Sequence, residues 1–154
     1  MTMLKAGDAA PTFKAPADSG SELSLEDFKG KTLVLYFYPK DDTPGCTVEA
    51  NEFTALAGEF AAAGVTVLGV SRDTVKSHCK FRDKYGLKVA LLSDPELTIH
   101  NAYGAWGEKT MYGKKVEGVL RSTFVIDGRG VVVKAYPNVK AAGHAAKVLA
   151  DLQG

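Results

Sequence analysis

From Thr32 to Pro39 the chain reads TLVLYFYP, an unbroken run of aliphatic, β-branched and aromatic residues. A half-solvated strand would alternate apolar and polar residues. This one does not, so the sheet that contains it must be covered on both faces. Two further runs are similar: VTVLGVS from Val65 to Ser71, and VALLSD from Val89 to Asp94. Helical patterns separate them. Val48, Phe53, Leu56 and Phe60 recur at three- to five-residue spacing with Glu49, Glu52 and Glu59 between them, and Gly64 marks the stop. Asp73 or Thr74 is placed to cap a second helix that runs to about Tyr85 and closes at Gly86.

The remaining segments fit the same scheme. Gly7, Pro11 and Pro16 punctuate an irregular N-terminal lead, and ELSLEDFKGK alternates before a helical turn ending at Gly30. Residues 96–103 read as a short helix, YGKKVEGVL as a polar excursion, and STFVID-GRG-VVVKAYP as a hairpin. Ala141 to Leu152 reads as a final amphipathic helix. Strands alternating with helices, followed by a hairpin, predict an α/β fold with a central mixed sheet flanked by helices. A length of 154 residues fits one domain over residues 1–154.

Composition narrows the function. A net charge of +1 gives no electrostatic draw toward nucleic acid or an acidic membrane. No apolar run approaches a membrane span, and MTMLKAGDAAPTF lacks the apolar core of a secretory signal. A cytoplasmic setting is expected. Two cysteines, Cys46 and Cys79, are too few for a disulfide scaffold. His78, His100 and His144 have no metal-ligand spacing to one another or to the cysteines. Lys109, Lys114 and Lys115 read as solvated, Tyr103 and Trp106 as packing, and the GRG at 128–130 lacks the following helix of a phosphate loop.

The chemistry concentrates at TPGCTVE, residues 43–49. Gly45 allows an unusual backbone angle and Pro44 stiffens the approach. Cys46 then falls in the first turn of a helix, where unpaired amides carry partial positive charge. A free thiol titrates near about 8.5, and thiols at such sites are lowered to roughly 3.5–7.5. Thr43 is placed to point its hydroxyl at the sulfur or at a bound oxygen. A thioredoxin-type CxxC is absent because position 43 is threonine.

The stretch YFYPKDDTPGCTVEA resembles the active-site signature of the peroxiredoxins, Pro-x-x-x-Thr-x-x-Cys, here Pro39, Thr43 and Cys46. LLSDP, YGAWGEK and RSTFVIDGRG are similar to later segments of the bacterioferritin-comigratory (peroxiredoxin Q) subfamily, so the likeness runs from about Ala6 to Leu152. The resemblance implies a thioredoxin-like fold with an N-terminal extension. It implies a thiol peroxidase acting on hydrogen peroxide and organic hydroperoxides, with Cys46 as the nucleophile that becomes a sulfenic acid. Thr43 would hydrogen-bond the peroxide and the thiolate. Arg121 would hold the sulfur anionic and stabilise charge on the departing oxygen. Pro39 would shield the pocket, and Glu49 would orient an arginine through a carboxylate fork. No metal or organic cofactor is required. Thioredoxin or a similar dithiol would supply electrons, and a monomer is expected.

The chain departs from the pattern in its second thiol. Many members of the subfamily carry a resolving cysteine five residues after the first, where this chain has Asn51. Others carry it on the next helix, near Arg82 as the segments align. Cys79 lies one turn earlier, so it is a possible resolving cysteine, and an external thiol is the alternative. Two rival functions remain at this stage. One is a thiol–disulfide oxidoreductase of the thioredoxin fold, which an insulin-reduction assay would reveal. The other is a non-catalytic redox sensor, which would oxidise without turnover.

Overall fold

The computed structural model describes residues 3–153. A small antiparallel pair opens the chain, β1 (Lys14–Pro16) with β2 (Glu22–Ser24), followed by a 3₁₀ turn at Leu25–Phe28. The main sheet has five strands: β3 (Thr32–Phe37), β4 (Val65–Ser71), β5 (Ala90–Ser93), β8 (Ser122–Ile126) and β9 (Val132–Tyr136), in the order β5-β4-β3-β8-β9. β3, β4 and β5 run parallel, while β8 and β9 are antiparallel to their neighbours. The sheet is therefore mixed, with the TLVLYFYP strand at its centre, where both of its faces need cover.

Alternation along β3 divides the core. Val34 and Tyr36 face α1 (Pro44–Ala55), α2 (Ala57–Ala62), α3 (Val75–Tyr85) and α5 (His144–Gln153) through Phe53, Phe60, Phe81 and Val148. Leu33, Leu35 and Phe37 face the other way, against Phe13 of the N-terminal segment and Ile99 and Tyr103 of α4 (Thr98–Tyr103). Opposite Tyr36 in the β-ladder stands Gly69, where an added Cβ would lie 2.8 Å from the tyrosine ring. That glycine makes room for a large ring in a crowded layer.

Caps fall where the sequence places them for α3. Thr74 accepts a hydrogen bond from the Ser77 amide, and Gly86 takes the left-handed conformation at the end. Three expectations need correcting. The helix after Gly45 is broken at Leu56 into α1 and α2, rather than running unbroken to Gly64. Val48 is 40% exposed, and the buried face of α1 is Cys46, Glu49, Ala50 and Phe53. Those positions fall at i, i+3, i+4 and i+7, so a thiol and a carboxylate occupy places that a core helix normally gives to apolar residues. The polar excursion is an antiparallel hairpin, β6 (Trp106–Met111) with β7 (Lys114–Val119). Tyr112 and Gly113 turn it, both with positive φ, the tight turn that matches strand twist.

Candidate active site

The site forms where β3 gives way to α1. Thr43 is the N-cap of α1 in extended conformation, and Pro44 takes the first helical position, where a missing N–H costs nothing. Cys46 follows in the first turn with only 1% of its surface exposed. The Thr47 amide already bonds to the Thr43 carbonyl at 2.8 Å, which leaves the earlier amides without helical partners to favour an anion.

Arg121 reaches this turn from the segment just before β8. Its Nη2 donates to Cys46 Sγ at 3.1 Å, and its Nη1 donates to Glu49 Oε1 at 2.6 Å. Burial works against the guanidinium charge, but Glu49 and Cys46 more than offset it, and Arg121 is held above its ordinary range. Gly45 serves this approach. Its φ is ordinary, contrary to the sequence expectation, but an added Cβ would lie 3.3 Å from Arg121 Nη2.

Glu49 is fully buried, and its contact with Arg121 is one-armed rather than the expected fork. Oε2 has no hydrogen-bond partner among the described residues. Burial pushes the carboxyl up to about 7 against the opposing pull of Arg121. The hydroxyl of Tyr36 is likewise buried, with no hydrogen-bond partner among the described residues. Burial first, then Glu49 and Cys46, hold that phenol well above its usual value.

Thr43 and Pro39 flank the site. The Thr43 hydroxyl donates to the Lys40 carbonyl at 2.8 Å, so its partner is the backbone and not the sulfur. Pro39 is half-buried two residues beyond the end of β3. The loop between them is anchored by residues that sequence reasoning missed. Asp41 accepts from Tyr38 Oη at 2.6 Å and from Ser77 Oγ at 2.8 Å, and pairs with His78 Nδ1 at 2.7 Å. His78 Nε2 lies 2.9 Å from the Leu92 carbonyl. Both ring nitrogens therefore have a hydrogen-bond partner. No spacing signal could have joined residues 37 positions apart.

Cys79 looks elsewhere. Both cysteines are free, and Cys79 Sγ donates to the Asp18 carbonyl at 3.2 Å, as Arg82 Nη1 does at 3.0 Å. The α3 face that carries it is thus turned to the N-terminal segment. What the site offers chemically is a buried sulfur beside a fixed guanidinium at a helix start. That surrounding favours an anionic nucleophile and stabilises charge passing to a neighbouring atom.

A family model described as AhpC/TSA matches residues 6–135. The chain belongs to that family. Its curated relatives are peroxiredoxins: Peroxiredoxin Bcp of Xanthomonas campestris pv. campestris is 49% identical over 94% of this chain and 91% of its own length. Peroxiredoxin Bcp of Escherichia coli is 40% identical over 94% and 92%. The solved structure of Xanthomonas campestris Peroxiredoxin Q superposes with a TM-score of 0.87 at 48% identity, covering 92% of this chain and 89% of that one. A structure of the bacterioferritin comigratory protein of the same organism, described for its alkyl peroxide reduction activity, gives 0.88 at 44% identity over 95% and 98%. The fold is therefore the thioredoxin fold of the peroxiredoxins, as the sequence resemblance implied, and this peroxiredoxin is a thiol peroxidase. Such an enzyme takes a peroxide and draws electrons from a thiol. No helix among the described residues is long and apolar enough to cross a membrane.

Proposed function

We propose that Cys46 is the peroxidatic nucleophile of a peroxidase that accepts hydrogen peroxide and organic hydroperoxides. The observation that carries the reading is the Arg121 guanidinium, 3.1 Å from Cys46 Sγ and braced on its far side by Glu49. The thiolate attacks one oxygen of the peroxide. The O–O bond breaks, sulfur becomes a sulfenic acid, and the departing oxygen takes up a proton to leave as water or an alcohol. Negative charge spreads from sulfur to both oxygens on the way, and Arg121 with the first amides of α1 is fixed beside that charge. Thr43 serves by rotating its hydroxyl from the Lys40 carbonyl toward the bound peroxide, and Pro39 limits water at the mouth. The alkyl peroxide activity named for the Xanthomonas campestris relative supports organic hydroperoxides as substrates.

Resolution of the sulfenic acid by an outside dithiol such as thioredoxin is the reading we favour. Cys46 is buried beneath Arg121, and Cys79 is engaged with Asp18. A Cys46–Cys79 bond would need both sulfurs to leave these partners, Arg121 and the Asp18 carbonyl, and to meet in disulfide geometry. A reducing compartment such as the cytoplasm and a monomeric state complete the reading.

The test is peroxide consumption with a dithiol reductant, followed by intact mass after one equivalent of peroxide. Cys46→Ser should abolish turnover, and turnover that survives would sink the assignment. A sulfenic acid trapped on Cys46 with Cys79 free supports the outside thiol. A loss of two hydrogens mapped to a Cys46–Cys79 peptide pair would place the partner in the chain.

A further inference from the structure

Arg121 is one cation between two acids. Its Nη2 serves the Cys46 sulfur and its Nη1 serves Glu49 Oε1. Glu49 has no exposed surface and the Arg121 side chain is only 19% exposed, so water does little to screen the group. One ionised acid beside Arg121 leaves the cluster neutral. Ionising both leaves an uncompensated negative charge in a buried place, which is costly. Among the described residues, Arg121 is the cation that acts on Glu49. Tyr36 comes from β3 and Glu52 from α1, and His144 of α5 lies within the field of Arg121. The unpartnered Oε2 of Glu49 is the atom on which a proton meets no competing donor.

We propose that Glu49 and Cys46 share one proton and one guanidinium, so that ionisation of the thiol is linked to protonation of Glu49 at Oε2. The reactive form is then a thiolate beside a neutral carboxylic acid. In going to it from thiol and carboxylate, one proton leaves sulfur and one arrives on Oε2, and the charge of the cluster does not change. Glu49 is a positioning residue here. As the neutral acid it leaves the charge of Arg121 to sulfur, and as the carboxylate it draws that charge away. The position of its titration, pushed up to about 7 by burial, places the exchange in the working pH range. The inference rests on Cys46 as the nucleophile and deepens that reading.

Two readouts test the linkage without peroxide turnover. The first is the pH profile of Cys46 alkylation by iodoacetamide in a Cys79→Ser background. The parent chain should titrate in two steps, as coupled sites do. Glu49→Gln should titrate in a single step that reaches its plateau at lower pH. The second is the infrared carbonyl band of the buried protonated acid. Its midpoint should fall by at least about one pH unit in Cys46→Ser, because coupling is reciprocal and Glu49 then has Arg121 to itself. The same single alkylation midpoint with and without Glu49, or an infrared midpoint unmoved by Cys46→Ser, would overturn the proposal. Peroxide consumption measured in parallel separates the two claims. Its absence with the linkage intact sinks the peroxidase assignment to Cys46, and its presence with the linkage missing sinks only the shared proton.

Discussion

Two buried carboxylates stand on either side of Cys46, and they are treated in opposite ways. Asp41, five residues before it, receives Tyr38, Ser77 and His78, so both of its oxygens are served. Glu49, three residues after it, receives one arm of one arginine and keeps Oε2 buried and bare. Buried polar groups are normally satisfied, and the exceptions gather where chemistry is done. Asp41 is thus an anchor for the loop that delivers Thr43 and Cys46. Glu49 is a charge held at a disadvantage beside the sulfur.

The contrast is broken most forcefully at the satisfied end. Asp41→Ala leaves the His78 ring, the Tyr38 hydroxyl and the Ser77 hydroxyl without their common acceptor. A buried polar group left without its partner costs about 1–3 kcal/mol, and here one acceptor serves three groups. Chemical denaturation should show that loss, and a loss within error of zero would mean the network is decoration. At the other end, Arg121→Ala should slow peroxide attack by about 10²–10³-fold, the usual effect of deleting one fixed donor to a developing charge. Its stability loss should be smaller than that of Asp41→Ala, because Glu49 can take up a proton and stay buried as a neutral acid. Stopped-flow oxidation and a denaturation curve on the same sample separate the two effects.

That division also explains what the sequence could tell. The α/β class was legible because β3 and β4 are buried on both faces and because Thr74 and Gly86 are strong helix punctuation. The β6–β7 hairpin was not, since its turn places Tyr112 where Asn or Asp would be the usual signal. Cys46 and Thr43 drew notice from the Pro-Gly turn and the helix start, whereas Pro39 and Arg121 were visible only through resemblance to the peroxiredoxins. The α1 pattern itself misled, because Cys46 and Glu49 take core positions that apolar periodicity does not count and Val48 faces solvent. The pairing of Asp41 with His78 left no trace, because α1, α2 and β4 lie between them and the fold, not the spacing, joins them.

Smaller effects appear in the pH dependence of stability, and their signs oppose. The folded chain keeps His144 neutral down to about 4, through burial first and then Lys147 and Arg121, against an ordinary 6.5. Between those values the unfolded chain binds more protons, so stability is intact above about 6.5 and is lost as pH falls toward 4. Glu49 titrates at about 7 when folded against 4.5 when not. Between those values the folded chain binds more protons, so its contribution is present below about 4.5 and is lost as pH rises to 7. The two slopes oppose each other where the windows overlap, so His144→Gln should leave a melting temperature that falls from about 4.5 to 7, and Glu49→Gln one that rises from about 4 to 6.5. Identical slopes in all three proteins would show that neither group changes its titration on folding.

The least effect belongs to a second anchor of the same loop. Asp42 pairs with Lys84 Nζ at 2.8 Å and accepts from Tyr85 Oη at 2.6 Å, so on distances alone it matches the Asp41 cluster. Exposure separates them. The Lys84 side chain is 58% exposed and that of Asp42 41%, against 0% and 4% for His78 and Asp41. In water an ion pair exchanges one set of good contacts for another and orders two long side chains, so little remains as net stability. Lys84→Ala should leave the denaturation midpoint and the rate of peroxide attack where they are, and added salt should not distinguish it from the parent chain. If Lys84→Ala instead loosened the loop as much as Asp41→Ala, burial would not be what divides a structural anchor from a surface contact. The bare oxygen of Glu49 would then lose its claim to be exceptional.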